Sequence, residues 1–142
     1  MKTKVAFACG HEGWIDVMGD KRQRERDIYA AEHGVCEDCR NARIEKANEG
    51  LAELTIGSER QIAWARKIRA EKMEMVRKEA KNIASQIKSG TIKLQDGWTL
   101  EIYVGKMDKA IARLSRINSA KYWIDYRDDS ARTALARAMQ ED

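Results

Sequence analysis

The chain has 142 residues, 35% of them charged and 43% apolar, with 27 basic and 23 acidic side chains giving a net charge of +4 and a mean hydropathy of −0.67. The apolar share and four tryptophans exclude a disordered chain, and no run approaches the ~18 apolar residues that span a bilayer. With no signal-peptide apolar region at the start, a cytoplasmic protein without membrane partners is expected, built as one ordinary domain or as a small metal-stapled module joined to a helical one.

Residues 2–8 ("KTKVAFA") and 14–18 ("WIDVM") read as two short strands around "CGHEG", whose glycines suit a tight turn. "KRQRERDIYAAEHG" has helical composition and ends in a glycine stop signal, although "RQRER" is also compatible with a loop. "CEDCRNARIEKANEG" continues as a helix to about Gly50, which places Cys36 and Cys39 at a helix N-terminus where the backbone dipole favours thiolates. A first module over 1–50 and a mainly helical domain over 51–142 follow, with "LAELTIG" as the linker.

"SERQ" opens the next helix with a capping box, Ser58 to Gln61. From Ser58 to about Lys88, Ile62, Ala65, Met73, Val76, Ala80, Ile83 and Ile87 recur at helical spacing along one face. Trp64, Ile68 and Met75 form a narrower stripe beside it, so two packing partners are expected: the C-terminal helices, and either the first module or another chain. "TIKLQDGWTLEIYV" alternates Ile92, Leu94, Trp98, Leu100, Ile102 and Val104 around Asp96-Gly97 and predicts a hairpin. The remainder reads as two or three short helices capped by Ser119 and by Asp129 or Ser130. Trp64, Trp123 and Tyr126 fall in helical patterns and are expected in the core, whereas Trp14 flanks a module with little core to cover it.

The three cysteines and two histidines carry the clearest chemistry. In a reducing compartment an odd set of cysteines with one C-x-x-C points to metal rather than disulfides. Zinc takes four nitrogen or sulfur ligands in a tetrahedron, commonly as two short pairs that the local backbone holds ready. Cys9-x-His11 and Cys36-x-x-Cys39 are such pairs, 24 residues apart, as in zinc-ribbon and treble-clef modules. His33 is an alternative fourth ligand. An α+β fold is therefore expected: an N-terminal zinc-ribbon or treble-clef-like module, a long helix, a hairpin and C-terminal helices, with Zn²⁺ as a structural cofactor.

The charge is unevenly spread. Residues 1–50 carry 9 basic and 10 acidic side chains, 51–90 carry 9 and 5, and 91–142 carry 9 and 8. Lys21, Arg22, Arg24 and Arg26 form the densest basic run and are the first candidates for contact with nucleic acid or an acidic protein surface. On the long helix Lys67, Arg77, Lys78 and Lys81, with Arg66 and Lys88, occupy one broad face that could follow a phosphate backbone. Glu59, Glu71 and Glu74 interleave with them, and a solvated face of mixed sign explains the pattern better.

The blocks "CGHEG", C-x-x-C, "LTIGSERQIAWARKIR" and "AKYWIDYRD" resemble a family of small zinc-ribbon proteins of bacterial mobile elements and phages. The resemblance covers most of the chain in scattered blocks. It implies Cys9, His11, Cys36 and Cys39 as ligands, a phage or plasmid origin, and a host-directed role such as inhibition of a defence nuclease complex. The chain departs from the family in "TIKLQDGWTLEIYVG" and in lacking a proline before the second cysteine pair.

An enzyme is not expected. The zinc deaminase signature H-x-E…P-C-x-x-C fails twice, because Gly13 stands where the acid–base glutamate belongs and no proline precedes Cys36. Four protein ligands also leave no position for a reacting water. A non-enzymatic protein engaging a macromolecular partner is the leading expectation, and a nucleic-acid-binding regulator the alternative.

Overall fold

The computed structural model describes residues 1–140, arranged as two compact units, Met1–Lys46 and a second that begins at Ala47. The fold is mixed α+β, with one two-stranded antiparallel hairpin and six helices among the described residues.

In the first unit β1 (Lys2–Ala6) pairs with β2 (Glu12–Asp16), with Lys4 opposite Trp14 and Ala6 opposite Glu12. The turn between them closes through Phe7 N–H donating to the His11 carbonyl at 2.9 Å and Gly10 N–H to the Phe7 carbonyl at 2.9 Å. Gly10 has φ +88°, a conformation that side chains disfavour, so glycine is what lets the chain reverse there. α1 (Lys21–Glu32) runs helical through "RQRER", its N-terminus capped by the Asp20 carboxylate accepting from Gln23 N–H at 2.8 Å. α1 has no deeply buried side chain. Ala8 N–H donates to the Gly34 carbonyl at 2.8 Å, tying the turn to the segment that leads into α2 (Glu37–Asn48). Val5 and Val17 are the only deeply buried apolar side chains among the described residues of this unit, too few to hold it by packing alone.

The second unit is built on α3 (Glu59–Lys88), which packs against α4 (Leu100–Ser115), α5 (Ala120–Asp125) and α6 (Ala131–Gln140). The expected capping box is present: Gln61 N–H donates to Ser58 Oγ at 3.2 Å, and Ser58 N–H to Gln61 Oε1 at 2.9 Å. Met73, Val76 and Ile83 meet Met107, Leu114, Trp123 and Leu135 in the core. Wholly buried Ala65, Ala110 and Ala120 keep their stretches of this core compact.

Three expectations are corrected here. The hairpin over 91–104 is absent: Thr99 Oγ1 accepts from Ile102 N–H at 3.2 Å and starts α4, which runs unbroken to Ser115. The helical set Tyr103, Met107, Ala110 and Leu114 can bury a continuous face on α3, which a short isolated ribbon cannot, and it outweighs the local alternation. The segment 51–57 is no free linker. Leu54 is buried in the core, Ala52 N–H donates to the Ser115 carbonyl at 2.8 Å, and Ile56 bridges Ser119, so it straps the second unit. Of the three aromatic residues expected inside, only Trp123 is, at 3% exposure. Trp64 is 47% exposed with the Arg127 guanidinium 5.2 Å from its ring centroid, and exposed Tyr126 lies under Arg137 at 3.9 Å. The second stripe of α3 accordingly reaches solvent through Trp64 and Met75. Ser130, rather than Asp129, caps α6, its Oγ accepting from Thr133 N–H at 3.1 Å.

Candidate metal centre

The hairpin turn supplies Cys9 and His11, and the entry to α2 supplies Cys36 and Cys39. Their ligand atoms all lie within 4.8 Å of one another. His11 Nδ1 is 3.5 Å from Cys36 Sγ and 3.3 Å from Cys39 Sγ. A tetrahedral ion with metal–sulfur bonds of about 2.3 Å and a metal–nitrogen bond of about 2.0 Å sets S···N edges of about 3.5 Å. The four side chains thus enclose a space of the size one such ion fills, and a Cys₃His set is chemically suited to it.

Backbone donors prepare the sulfurs for charge. Cys36 N–H points at Cys9 Sγ, 3.4 Å away, and Cys39 N–H at Cys36 Sγ, also 3.4 Å away. Hydrogen bonds from the backbone of Cys36, and then of His11, hold the Cys9 thiol down at about 6, well below its ordinary value. Cys39 moves the other way, to about 11, because its proton is held in a hydrogen bond to Cys36 and solvent is partly excluded. Three neighbouring sulfurs resist common ionisation, and a dication removes that conflict.

His33 stands outside the cluster. It caps the end of α1, its Nδ1 is 2.8 Å from the Tyr29 carbonyl, and its ring stacks on Tyr29 with centroids 3.8 Å apart.

The basic candidates stand on α1 and α3. Lys21, Arg22 and Arg26 are exposed and Arg24 is half-buried in the first turns of α1, just after the Asp20 cap. Arg26 donates to Gln23 Oε1 at 2.9 Å. On α3, Lys67, Arg77, Lys78 and Lys81 are exposed, and Lys78 pairs with Glu74 at 3.4 Å, as expected of a face of mixed sign.

Two buried cations escaped the sequence reading. Arg69, 1% exposed, donates from Nε to Asn48 Oδ1 at 2.8 Å and from its terminal nitrogen to the Ala52 carbonyl. Lys72 donates to the Arg127 carbonyl at 3.0 Å and to the Asp129 carbonyl. Arg69 stands at helical spacing from Ala65, Met73 and Val76, and Lys72 from Ala65 and Val76, so their intrusion on the apolar face was the signal available. They fasten two loops to α3.

No helix among the described residues is long and apolar enough to cross a membrane. Compared with known proteins, the chain matches no family model, no curated protein and no solved structure, which leaves the chemistry of the Cys₃His cluster as the main guide to function.

Proposed function

We propose that the chain is a non-enzymatic binding protein whose first unit is held together by one structural zinc ion on Cys9, His11, Cys36 and Cys39. The gathering of four ligand atoms within 4.8 Å carries the reading. One pair from a hairpin turn and one from the first turn of a helix correspond to a treble-clef-like arrangement, and a complete set of four protein ligands favours a structural over a catalytic role. With only Val5 and Val17 deeply buried, the unit needs such a cross-link to stay folded. Binding is directed at a macromolecular partner. The resemblance of "CGHEG" and "GSERQIAWARKIR" to mobile-element proteins supports a bacterial host protein in a nucleic-acid-handling defence complex as that partner.

A second reading, direct nucleic-acid binding, is favoured by one observation. Lys21, Arg22, Arg24 and Arg26 crowd the first turns of α1, where Asp20 is the cap and no acid stands within the first turn itself, a run of cations suited to phosphate contacts. Affinity capture from a bacterial lysate followed by a salt series separates the two. Phosphate contacts weaken steeply with ionic strength, and an apolar protein interface holds.

A further inference from the structure

The metal cluster borders an open cleft of about 420 Å³ lined by Phe7, His11, Trp14, Glu37 and Asp38 together with Glu12 and Gly13. Its aromatic surface is local in origin. Trp14 faces solvent on β2 with 66% of its surface exposed, unusual for so large an apolar ring. Gly13 lies under the Phe7 ring: a Cβ there would stand 3.0 Å from Phe7 Cε2, so the absence of a side chain is what lets this ring lie across the strand. Glu12, Glu37 and Asp38 add three carboxylates, all exposed. Lys4, 3.1 Å from Glu12, is the one cation paired with them among the described ion pairs. Three thiolates on a dication would add a further negative charge at the cleft wall.

We propose that this cleft is a docking site for an arginine-bearing segment of a protein partner. A guanidinium is planar, stacks on indole and can be held by carboxylates at its edge, so one side chain uses both the aromatic and the acidic parts of the cleft. A nucleic-acid strand could stack on Trp14 but would bring phosphates against Glu12, Glu37 and Asp38, which disfavours it here. Because His11 turns Nδ1 to the sulfurs, its other ring nitrogen is free of the cluster. When Nδ1 binds metal, that nitrogen carries the proton and can donate to a carbonyl of the docked segment. This inference names the partner chemistry for the binding protein proposed above and rests on that reading.

The test uses the full zinc-loaded chain and fluorescence anisotropy with a labelled peptide of alternating arginine and glycine. A peptide with citrulline in place of arginine and a labelled oligouridylate serve as comparison probes. The arginine peptide should bind, and the citrulline peptide should bind at least roughly tenfold more weakly. Trp14→Ala and the double variant Glu37→Gln, Asp38→Asn should each weaken arginine-peptide binding roughly tenfold with zinc content unchanged. Absence of binding to wild type, equal binding of the citrulline peptide, unchanged binding by both variants, or oligouridylate binding lost in Trp14→Ala would overturn the proposal. The double variant alters only exposed groups, so it keeps the test valid should Trp14→Ala fail to fold. Elemental analysis of the same samples reports on the zinc reading alone, so that reading and the docking site can fail separately.

Discussion

His11 Nδ1 lies 3.3 Å from Cys39 Sγ, so a residue of the hairpin turn and a residue of the first turn of α2 meet in one cluster of potential metal ligands. His33, also near the second cysteine pair in sequence, is turned away onto Tyr29. His11→Ala is therefore expected to lower zinc affinity by roughly a hundredfold or more, and His33→Ala to leave it almost unchanged. Competition with a zinc chelator at neutral pH measures both, and equal losses would refute the assignment.

Purified protein should hold one zinc per chain. Cys36→Ser or Cys39→Ser should abolish stoichiometric binding and remove amide-exchange protection from residues 1–46, because Val5 and Val17 cannot sustain that unit by themselves. Protection in α3 should persist, since its core draws on α4 to α6. Elemental analysis with hydrogen exchange read by segment decides this.

The metal-free chain should show graded thiol reactivity at pH 7. Cys9, with a thiol at about 6, is mostly thiolate there, while Cys39, at about 11, is protonated. Iodoacetamide should label Cys9 well before Cys39. Since the thiolate is the nucleophile, Cys9 labelling should slow as pH falls through about 6. Zinc should protect both, as mass-spectrometric mapping would show, and equal labelling rates without zinc would contradict the geometry.

Lys72→Met keeps the apolar stem but leaves the Arg127 and Asp129 carbonyls without this donor. A loss of about 1–3 kcal/mol in the second unit is expected. Arg69→Met, which removes the Arg69 donors from Asn48 Oδ1 and the Ala52 carbonyl, should cost at least as much. Urea unfolding followed by tryptophan fluorescence gives both values.

The two tryptophans of the second unit expected inside should part company. Trp123→Ala opens a buried space and should cost about 3–5 kcal/mol. Trp64→Ala, at a half-exposed surface position with Arg127 over the ring, should cost less than about 1 kcal/mol. Similar losses in thermal unfolding would return Trp64 to the core.

Local chemistry made part of this protein legible from residues alone. The two ligand pairs need only short spacings, Ser58 and Gln61 declare the start of α3 through hydrogen bonds spanning three residues, and Ile62 to Ile87 mark its buried face by period. Tertiary structure decided whatever depended on competition between distant groups. Residues 99–104 satisfied a strand alternation and a helix start at once, and only burial of Met107, Ala110 and Leu114 against α3 selected the helix. The Cys9-x-His11 spacing puts His11 first and leaves His33 open; in the fold the hairpin turn carries His11 to the start of α2, a meeting across 25 to 28 residues, while His33 turns onto Tyr29. Burial of Arg69 and Lys72 depended on backbone carbonyls at Ala52, Arg127 and Asp129, acceptors that every residue type possesses and that composition therefore cannot reveal.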